Sequence, residues 1–317
     1  MQNITYAYLG PEESPGRFAK KGTASDVVLY NAKQGDVHLN IVAPVRYPER
    51  LQGLLAALDL AQRIVLEPTA VDRTLGETTV AAELFGKTRG FLRCEDAVLM
   101  EQVRKLLAKT ALKDLDVSAE PEGVFRERLY APTVEASEGA LVLPTDHAFP
   151  VKGIGTVILG LVRRGTARRH QQVQIYPGDK TIDIRSIQVH DVDEEEAPSG
   201  SRVGLAVKGV EPDDVRRGRI LAEPGSLVVL SPDMPVKLRV AVSPHNKWSP
   251  RSGAALHLYH VLQDVVFRVD EVDGAEPTLV LSGRIDSPIT HVPGQPIVVV
   301  DLDNKAQRLV GSAEIVR

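Results

Sequence analysis

Apolar residues change their spacing near residue 135 of this chain. Before that point, short apolar runs alternate with stretches in which apolar residues recur every three or four positions. Ile4 to Leu9, Asp26 to Tyr30 and Val37 to Val42 read as strands, and so do Ile64-Val65-Leu66, Gly90 to Arg93 and Leu115 to Ser118. Leu51, Leu54, Leu55, Leu58 and Ala61 make one helical stripe. Pro48 is expected to open that helix, where a missing N–H is harmless. Further helices are expected from Leu75 to Phe85, closing near Gly86, from the capping residue Asp96 to Leu107, and from Gly123 to Leu129. Strands alternating with helices imply a mostly parallel sheet covered on both faces. Ligands of such sheets sit at the carboxyl ends of the strands.

After Pro132-Thr133-Val134-Glu135-Ala136-Ser137 the helical period disappears and short β-branched runs take over. Val157 to Val162 and Gln172 to Tyr176 read as strands, the second ending in the turn Pro177-Gly178-Asp179-Lys180. Ile182 and Ile184 alternate in one phase, Ile187 and Val189 in the other, so a β-bulge is expected at Arg185-Ser186. Val203, Leu205 and Val207 alternate again. Beyond Pro224-Gly225, Val236 to Val242, Leu256 to Leu262, Thr278 to Ile285 and Ile297 to Val300 continue the pattern. Many short strands at such spacing mean barrels or sandwiches. Three domains follow: residues 1–133 (α/β), 134–224 and 225–317 (each a β-barrel).

The turn after the first strand bears on nucleotide chemistry. A P-loop, G-x-x-x-x-G-K-[ST], turns backbone amides toward phosphate, neutralises it with lysine and holds magnesium with a hydroxyl. The matching stretch here is Gly10-Pro11-Glu12-Glu13-Ser14-Pro15-Gly16-Arg17. Pro15 stands at the second glycine position, Gly16 at the lysine, and Glu12 and Glu13 would repel a polyphosphate.

The second domain carries a specific pattern. Gly153, Gly155, Thr156, Val157, Gly160 and Gly165 meet G-x-G-T-V-x-x-G-x-x-x-x-G. Arg185-Ser186-Ile187-Gln188, Gly200, Arg202-Val203-Gly204 and Arg217-Gly218 follow in order. This stretch resembles the second domain of translational GTPases, with a flavour of the selenocysteine-specific and archaeal or eukaryotic elongation factors. The ending Val310-Gly311-Ser312-Ala313 resembles that family's closing strand. The resemblance implies a P-loop-GTPase-like α/β domain followed by two elongation-factor-type β-barrels.

The resemblance also says where guanine nucleotide would bind, and the front domain departs from it there. In Ala43-Pro44-Val45, at the place of D-x-P-G-H, only Pro44 matches. In Arg93-Cys94-Glu95-Asp96, at the place of N-K-x-D, only Asp96 matches. Val117-Ser118-Ala119 keeps the S-A turn beside the guanine. A charge-assisted hydrogen bond contributes about 1.5–3 kcal/mol, so three lost contacts remove roughly 5–9 kcal/mol. The front domain is therefore expected to be a degenerate GTPase domain. Gly10, Gly16, Asp96, Ser118 and Ala119 mark its vestigial site, and GTP and magnesium are not expected as cofactors.

Composition adds limits. Charged residues are 25% and the net charge is −4, which argues against a globally basic nucleic-acid coat. Aromatic residues at 4% disfavour a base-stacking platform. The lone Cys94 permits no internal disulfide. The start lacks the basic and apolar regions of a signal peptide, and no apolar run approaches membrane-spanning length. The cytoplasm is the expected compartment, with no membrane partner.

Two basic clusters could contact RNA phosphates: Arg163, Arg164, Arg168, Arg169 and His170 around a tight hairpin, and Arg216, Arg217 and Arg219. A solvated arginine face is the alternative. The resemblance implies tRNA or the ribosome as partner, or another translation protein. Lys20-Lys21-Gly22-Thr23 could form an anion-holding loop, the acidic run Asp191 to Glu196 reads as a solvated loop, and no catalytic set stands out. His245, His257, His260 and His291 read as buried, hydrogen-bonded histidines rather than a metal site, since zinc sites need converging ligands. Three functions stay open: an elongation-factor-like protein binding tRNA or ribosome without hydrolysing GTP, a regulator that docks proteins on a pseudo-GTPase domain, and a weak GTPase with a rearranged site.

Overall fold

The computed structural model describes residues 2–131, 137–246 and 251–316. The chain divides into two units, Met1–Val134 and Glu135–Arg317. The domain boundary expected at 133/134 lies outside the described residues. No helix among the described residues is long and apolar enough to cross a membrane.

The first unit is a mixed sheet with helices. Its strands are β1 (Gln2–Leu9), β2 (Lys20–Ala24), β3 (Val27–Gln34), β4 (Val37–Pro44), β5 (Arg63–Leu66), β6 (Gly90–Arg93) and β7 (Asp116–Ser118). They lie in the order β2-β3-β4-β1-β5-β6-β7. From β4 to β7 all pairings are parallel, while β2 and β3 are antiparallel additions. The helices are α1 (Leu51–Leu60), α2 (Arg73–Leu84), α3 (Ala97–Leu107) and α4 (Glu122–Tyr130). Asp96 caps α3 as expected, accepting from the amides of Val98 and Leu99 at 2.8 and 3.0 Å. Asp72 does the same for α2 through Leu75 N.

Helix α1 differs from its expected form in two ways. It begins at Leu51, with Pro48 in the preceding turn. It is also buried nearly all round, because Gly53, Ala56 and Ala57 bring the side opposite the leucine stripe against neighbours. A Cβ on Gly53 would stand 2.6 Å from Asp26 O, so only glycine admits that approach.

The second unit is β throughout. Its first part comprises β8 (Val142–Val151), β9 (Gly155–Leu161), β10 (Thr166–Arg168), β11 (Gln172–Tyr176), β12 (Thr181–Asp183), β13 (Ser186–Val189), β14 (Val192–Glu194), β15 (Glu196–Pro198), β16 (Arg202–Val207) and β17 (Ile220–Ala222). An eight-stranded antiparallel sheet, β12-β11-β17-β8-β9-β16-β13-β14, and the β10–β15 ladder enclose one apolar core. The phase slip at Arg185-Ser186 is not a bulge. The chain leaves β12, paired to β11, and enters β13, paired to β16. Ile184 and Ile187 both reach the core because the strand changes partners between them.

The second part has β18 (Val228–Leu230), β19 (Val236–Val242), β20 (Ala255–His260), β21 (Gln263–Ala275), β22 (Thr278–Ile285), β23 (Ile289–His291), β24 (Ile297–Val300) and β25 (Leu309–Val316). Six of these close a barrel, β19-β22-β21-β20-β24-β25, around its own core. Strand β19 alternates buried and exposed residues without exception, as a half-buried strand should. The expected fold class, an α/β domain followed by all-β barrels, is the observed one. Between the two β cores, Val142, Tyr176, Ile220, Ala222, Leu227, Val261 and Val292 form a third apolar cluster.

Candidate functional site

The carboxyl ends of β1, β4, β5, β6 and β7 gather at one edge of the first unit. After β1 the chain makes a single 3-10 turn, Ser14–Arg17, and returns as β2. In a P-loop protein this place holds the N-terminus of a helix aimed at phosphate. Here the turn uses its own amides. Ser14 N donates to Pro11 O at 3.1 Å, Gly16 N to Glu13 O at 3.2 Å, and Phe18 N and Ala19 N to Pro15 O at 3.0 and 3.2 Å.

The motif glycines have separate settings. A Cβ on Gly10 would lie 2.8 Å from both Cβ and O of Glu67, so Gly10 permits the close approach of two strand ends. Nothing lies within 4 Å of a Cβ built on Gly16.

Arg93 ends β6, and its side chain is 0% exposed. The guanidinium is held from several sides. Nε lies 3.4 Å from Glu67 Oε1, one terminal nitrogen 2.8 Å from Glu95 Oε1, and the other donates to Glu120 O at 2.9 Å. Its central carbon stands 4.8 Å from the ring centre of Phe125 and 5.8 Å from that of Phe18. A buried cation between aromatic faces, paired to carboxylates, is stable only when so surrounded. Tyr8 completes the group by donating to Glu67 Oε2 at 2.7 Å. Burial, then the nearby Glu67 carboxylate, pushes the Tyr8 hydroxyl pKa well up, so it stays a donor.

Asp96, Ser118 and Ala119 sit at the same edge. Asp96 is committed to capping α3. The Ser118 hydroxyl donates to Glu120 Oε2, and Arg128 holds the other oxygen of Glu120 at 2.7 Å. The Ser118 bond, first among several causes, lowers the Glu120 pKa. Ala119 is exposed. The segment expected as a cationic loop, Lys20-Lys21-Gly22-Thr23, is instead edge strand β2. Lys20 pairs with Asn31 and Lys21 with Tyr30. Lysines on a sheet edge are a common guard against edge-to-edge pairing.

Beside Arg93, an open cleft of about 330 Å³ lies between the loops after β1, β4 and β5 and the helices α1 and α2. Leu9, Leu54, Leu66 and Leu75 line it, together with Glu12, Glu67 and Asp72.

In the second unit, the arginine candidates are mostly engaged. Arg163 donates to Gln295 Oε1 at 2.6 Å, across the two β cores, and Arg164 to Ala140 O at 3.1 Å. Arg168 lies 3.4 Å from Glu196 and Arg169 2.7 Å from Glu195. Arg219 donates to Pro177 O at 2.6 Å. His170 occupies a turn at φ 64, Arg217 is half-buried, and Arg216 is exposed. The acidic run Asp191 to Glu196 is largely exposed, as expected, but it is strand rather than loop. It forms β14 and the start of β15, whose pairing with β10 sets Glu196 opposite Arg168.

Another charged group was not legible in the sequence. Asp146, 1% exposed, receives both terminal nitrogens of Arg202, one at 2.8 Å, and has His147 Nδ1 at 2.9 Å. Fifty-six positions separate Asp146 from Arg202, and only the β8–β9–β16 order brings them together.

The histidines divide by environment. His260 is fully buried, accepting from Val292 N and lying against Pro296 O, both at 2.9 Å, with the His291 ring stacked at 5.5 Å. His257 is half-buried against Asp264, and His245 is exposed rather than buried. Among the described residues, no three His, Cys, Asp or Glu side chains gather as metal ligands would.

Comparison with known proteins gives this geometry its family. The family model of elongation factor Tu domain 2 matches residues 155–222, the stretch from β9 to β17. An uncharacterized protein of Methanocaldococcus jannaschii is 33% identical over 287 residues, covering 90% of this chain and 92% of that one. The selenocysteine-specific elongation factor of the same organism is 41% identical over 81 residues, which are 26% of this chain and only 17% of that factor. Among solved structures, translation elongation factor SelB from Methanococcus maripaludis, in complex with the GTP analogue GppNHp, superposes with a TM-score of 0.80 at 17% identity. That match covers 100% of this chain and 79% of that one. With the β9–β17 pattern and the fold in agreement, the chain belongs to the translational GTPase superfamily.

Proposed function

We propose that this protein is an elongation-factor-like translation protein that binds tRNA or the ribosome in the cytoplasm without binding or hydrolysing GTP. The observation that carries this reading is the Arg93 cluster at the carboxyl edge of the sheet. At the N-K-x-D position, where the resemblance expects groups that read guanine, an arginine is fixed between Phe18 and Phe125 by Glu67 and Glu95. The turn after β1 supports the same reading, since Pro15 offers no amide and the neighbouring amides are internally bonded. Electrostatics agree: Glu12, Glu67 and Asp72 line the adjoining cleft, where a polyphosphate would be repelled.

The binding half of the reading rests on the second unit, which carries the family's domain 2 pattern. Among the arginine candidates, Arg168, Arg169 and Arg216 are exposed, while Arg163 and Arg219 are half-buried and donate to Gln295 Oε1 and Pro177 O. Titrating tRNA and ribosomes against salt tests it. The expected result is binding at low salt that falls steeply with ionic strength and weakens in the Arg168→Ala, Arg169→Ala, Arg216→Ala variant. No binding at low salt, or binding indifferent to those substitutions, contradicts it.

A further inference from the structure

The cleft between α1, α2 and the loops after β1, β4 and β5 has the size and composition of a small-molecule site. Its volume of about 330 Å³ falls in the range of ligand pockets, and it lies where open α/β sheets receive ligands. The walls are of two kinds. Leu9, Leu54, Leu66 and Leu75, each at most 5% exposed, supply an apolar floor. Glu12, Glu67 and Asp72 supply carboxylates, and no lysine or arginine is among the lining residues.

The three carboxylates are not equivalent. Glu67 is balanced by Arg93 and Tyr8. Asp72 uses one oxygen to cap α2 through Leu75 N. Neither Glu12 nor Asp72 has a basic partner among the described residues. Tyr47, also in the lining, has its hydroxyl 3.1 Å from both Thr74 O and Thr78 Oγ1 of α2. The cleft therefore joins an apolar floor to a rim carrying uncompensated negative charge. Phosphate, carboxylate and sulfate are disfavoured there by charge, and a purely apolar ligand would leave the rim carboxylates unanswered.

We infer that this cleft binds a small organic cation, an ammonium or guanidinium group on an aliphatic stem, with the stem on the leucine floor and the cation between Glu12 and Asp72. The same chemistry can arrive as a free amine or as an arginine side chain on another chain, and the probes separate the two. The inference is independent of RNA binding by the second unit, which is measured with other ligands and other variants.

The experiment follows backbone amide shifts of the full chain by NMR during titration with butylguanidinium, with the uncharged isostere butylurea, and with the blocked tripeptide Gly-Arg-Gly. Saturable shifts confined to the loops after β1 and β5 and to the start of α2 are expected with the guanidinium or the tripeptide. The tighter of the two identifies the source. Glu12→Gln with Asp72→Asn, which keeps the helix cap, is expected to weaken binding by roughly tenfold, in line with two partly exposed charge contacts. A thermal melt checks that the double variant folds. If it does not, the wild-type titration repeated at high salt stands in, with weaker binding expected. Absence of saturable shifts, butylurea binding as tightly as butylguanidinium, or affinity unchanged by the double variant or by salt overturns the inference.

Discussion

The guanidinium carbon of Arg93 lies 4.8 Å from the centre of the Phe125 ring, joining the end of β6 to helix α4. Phe18 stands on the other side, and Phe125 packs edge-on against both Phe18 and Phe91. Arg93 is thus the polar centre of an aromatic cluster. Arg93→Ala is expected to lower stability by about 3 kcal/mol, since it leaves a cavity and removes the cation–aromatic contacts. Urea denaturation measures this. A loss below about 0.5 kcal/mol, the range of an ordinary surface substitution, contradicts the cluster's role.

Gly10 and Gly16 separate packing from phosphate chemistry. Gly10→Ala is expected to destabilise by about 1–3 kcal/mol, because its methyl group would meet Glu67. Gly16→Ala, facing open space, is expected to change stability by less than about 0.5 kcal/mol. Equal effects of the two substitutions in thermal melts contradict this assignment.

These glycines also show what the sequence could and could not reveal. The fold class was legible because apolar period changes with element type, from 3.6 in α3 to 2 in β19. The domain 2 pattern was legible because tight corners demand glycine at fixed intervals. Strand β2 was not, since a polar edge strand buries no face and shows no alternation. The change of partners at Arg185 was not, because a phase slip reads the same whether a strand bulges or ends. Arg93 is legible as the first residue at the place of N-K-x-D, but its burial depends on Phe18 and Phe125, which the topology alone brings beside it.

The acidic partners of Arg168 and Arg169 restrain any RNA contact made through them. Glu195→Gln with Glu196→Gln frees both guanidinium groups. The double variant is expected to bind tRNA more tightly and to steepen the slope of log affinity against log salt by about one to two. Filter binding at several salt concentrations measures the slope. A slope and affinity equal to those of the unaltered chain contradict an RNA contact through this hairpin.

His257 supplies a pH-dependent increment of stability to the closed barrel. The hydrogen bond to Asp264, 2.7 Å away, raises its pKa above the ordinary 6.5, with burial opposing. Because the folded value is the higher one, the stabilisation is complete below about pH 6.5 and fades as pH rises through the folded value. Asp264→Asn is expected to flatten this segment of the stability–pH curve. Persistence of the full slope between pH 6 and 8 in that variant contradicts the assignment.

Val261 and Leu262 form the two-residue turn between β20 and β21 at φ 50 and 60, a conformation that β-branched residues rarely adopt. Both are buried, and Val261 belongs to the apolar cluster between the β cores. Val261→Asn relieves backbone strain of about 1 kcal/mol but gives up about 1.5–3 kcal/mol of apolar burial. A net loss is expected in urea denaturation, and a net gain contradicts the packing role given to this turn.

Calorimetric titration of the full chain with GTP and magnesium at millimolar concentration tests most directly whether the front domain has left nucleotide chemistry. The expected result is heat indistinguishable from dilution, with wild type and Arg93→Ala alike. A saturable, magnesium-dependent binding isotherm with the unaltered chain would contradict the account.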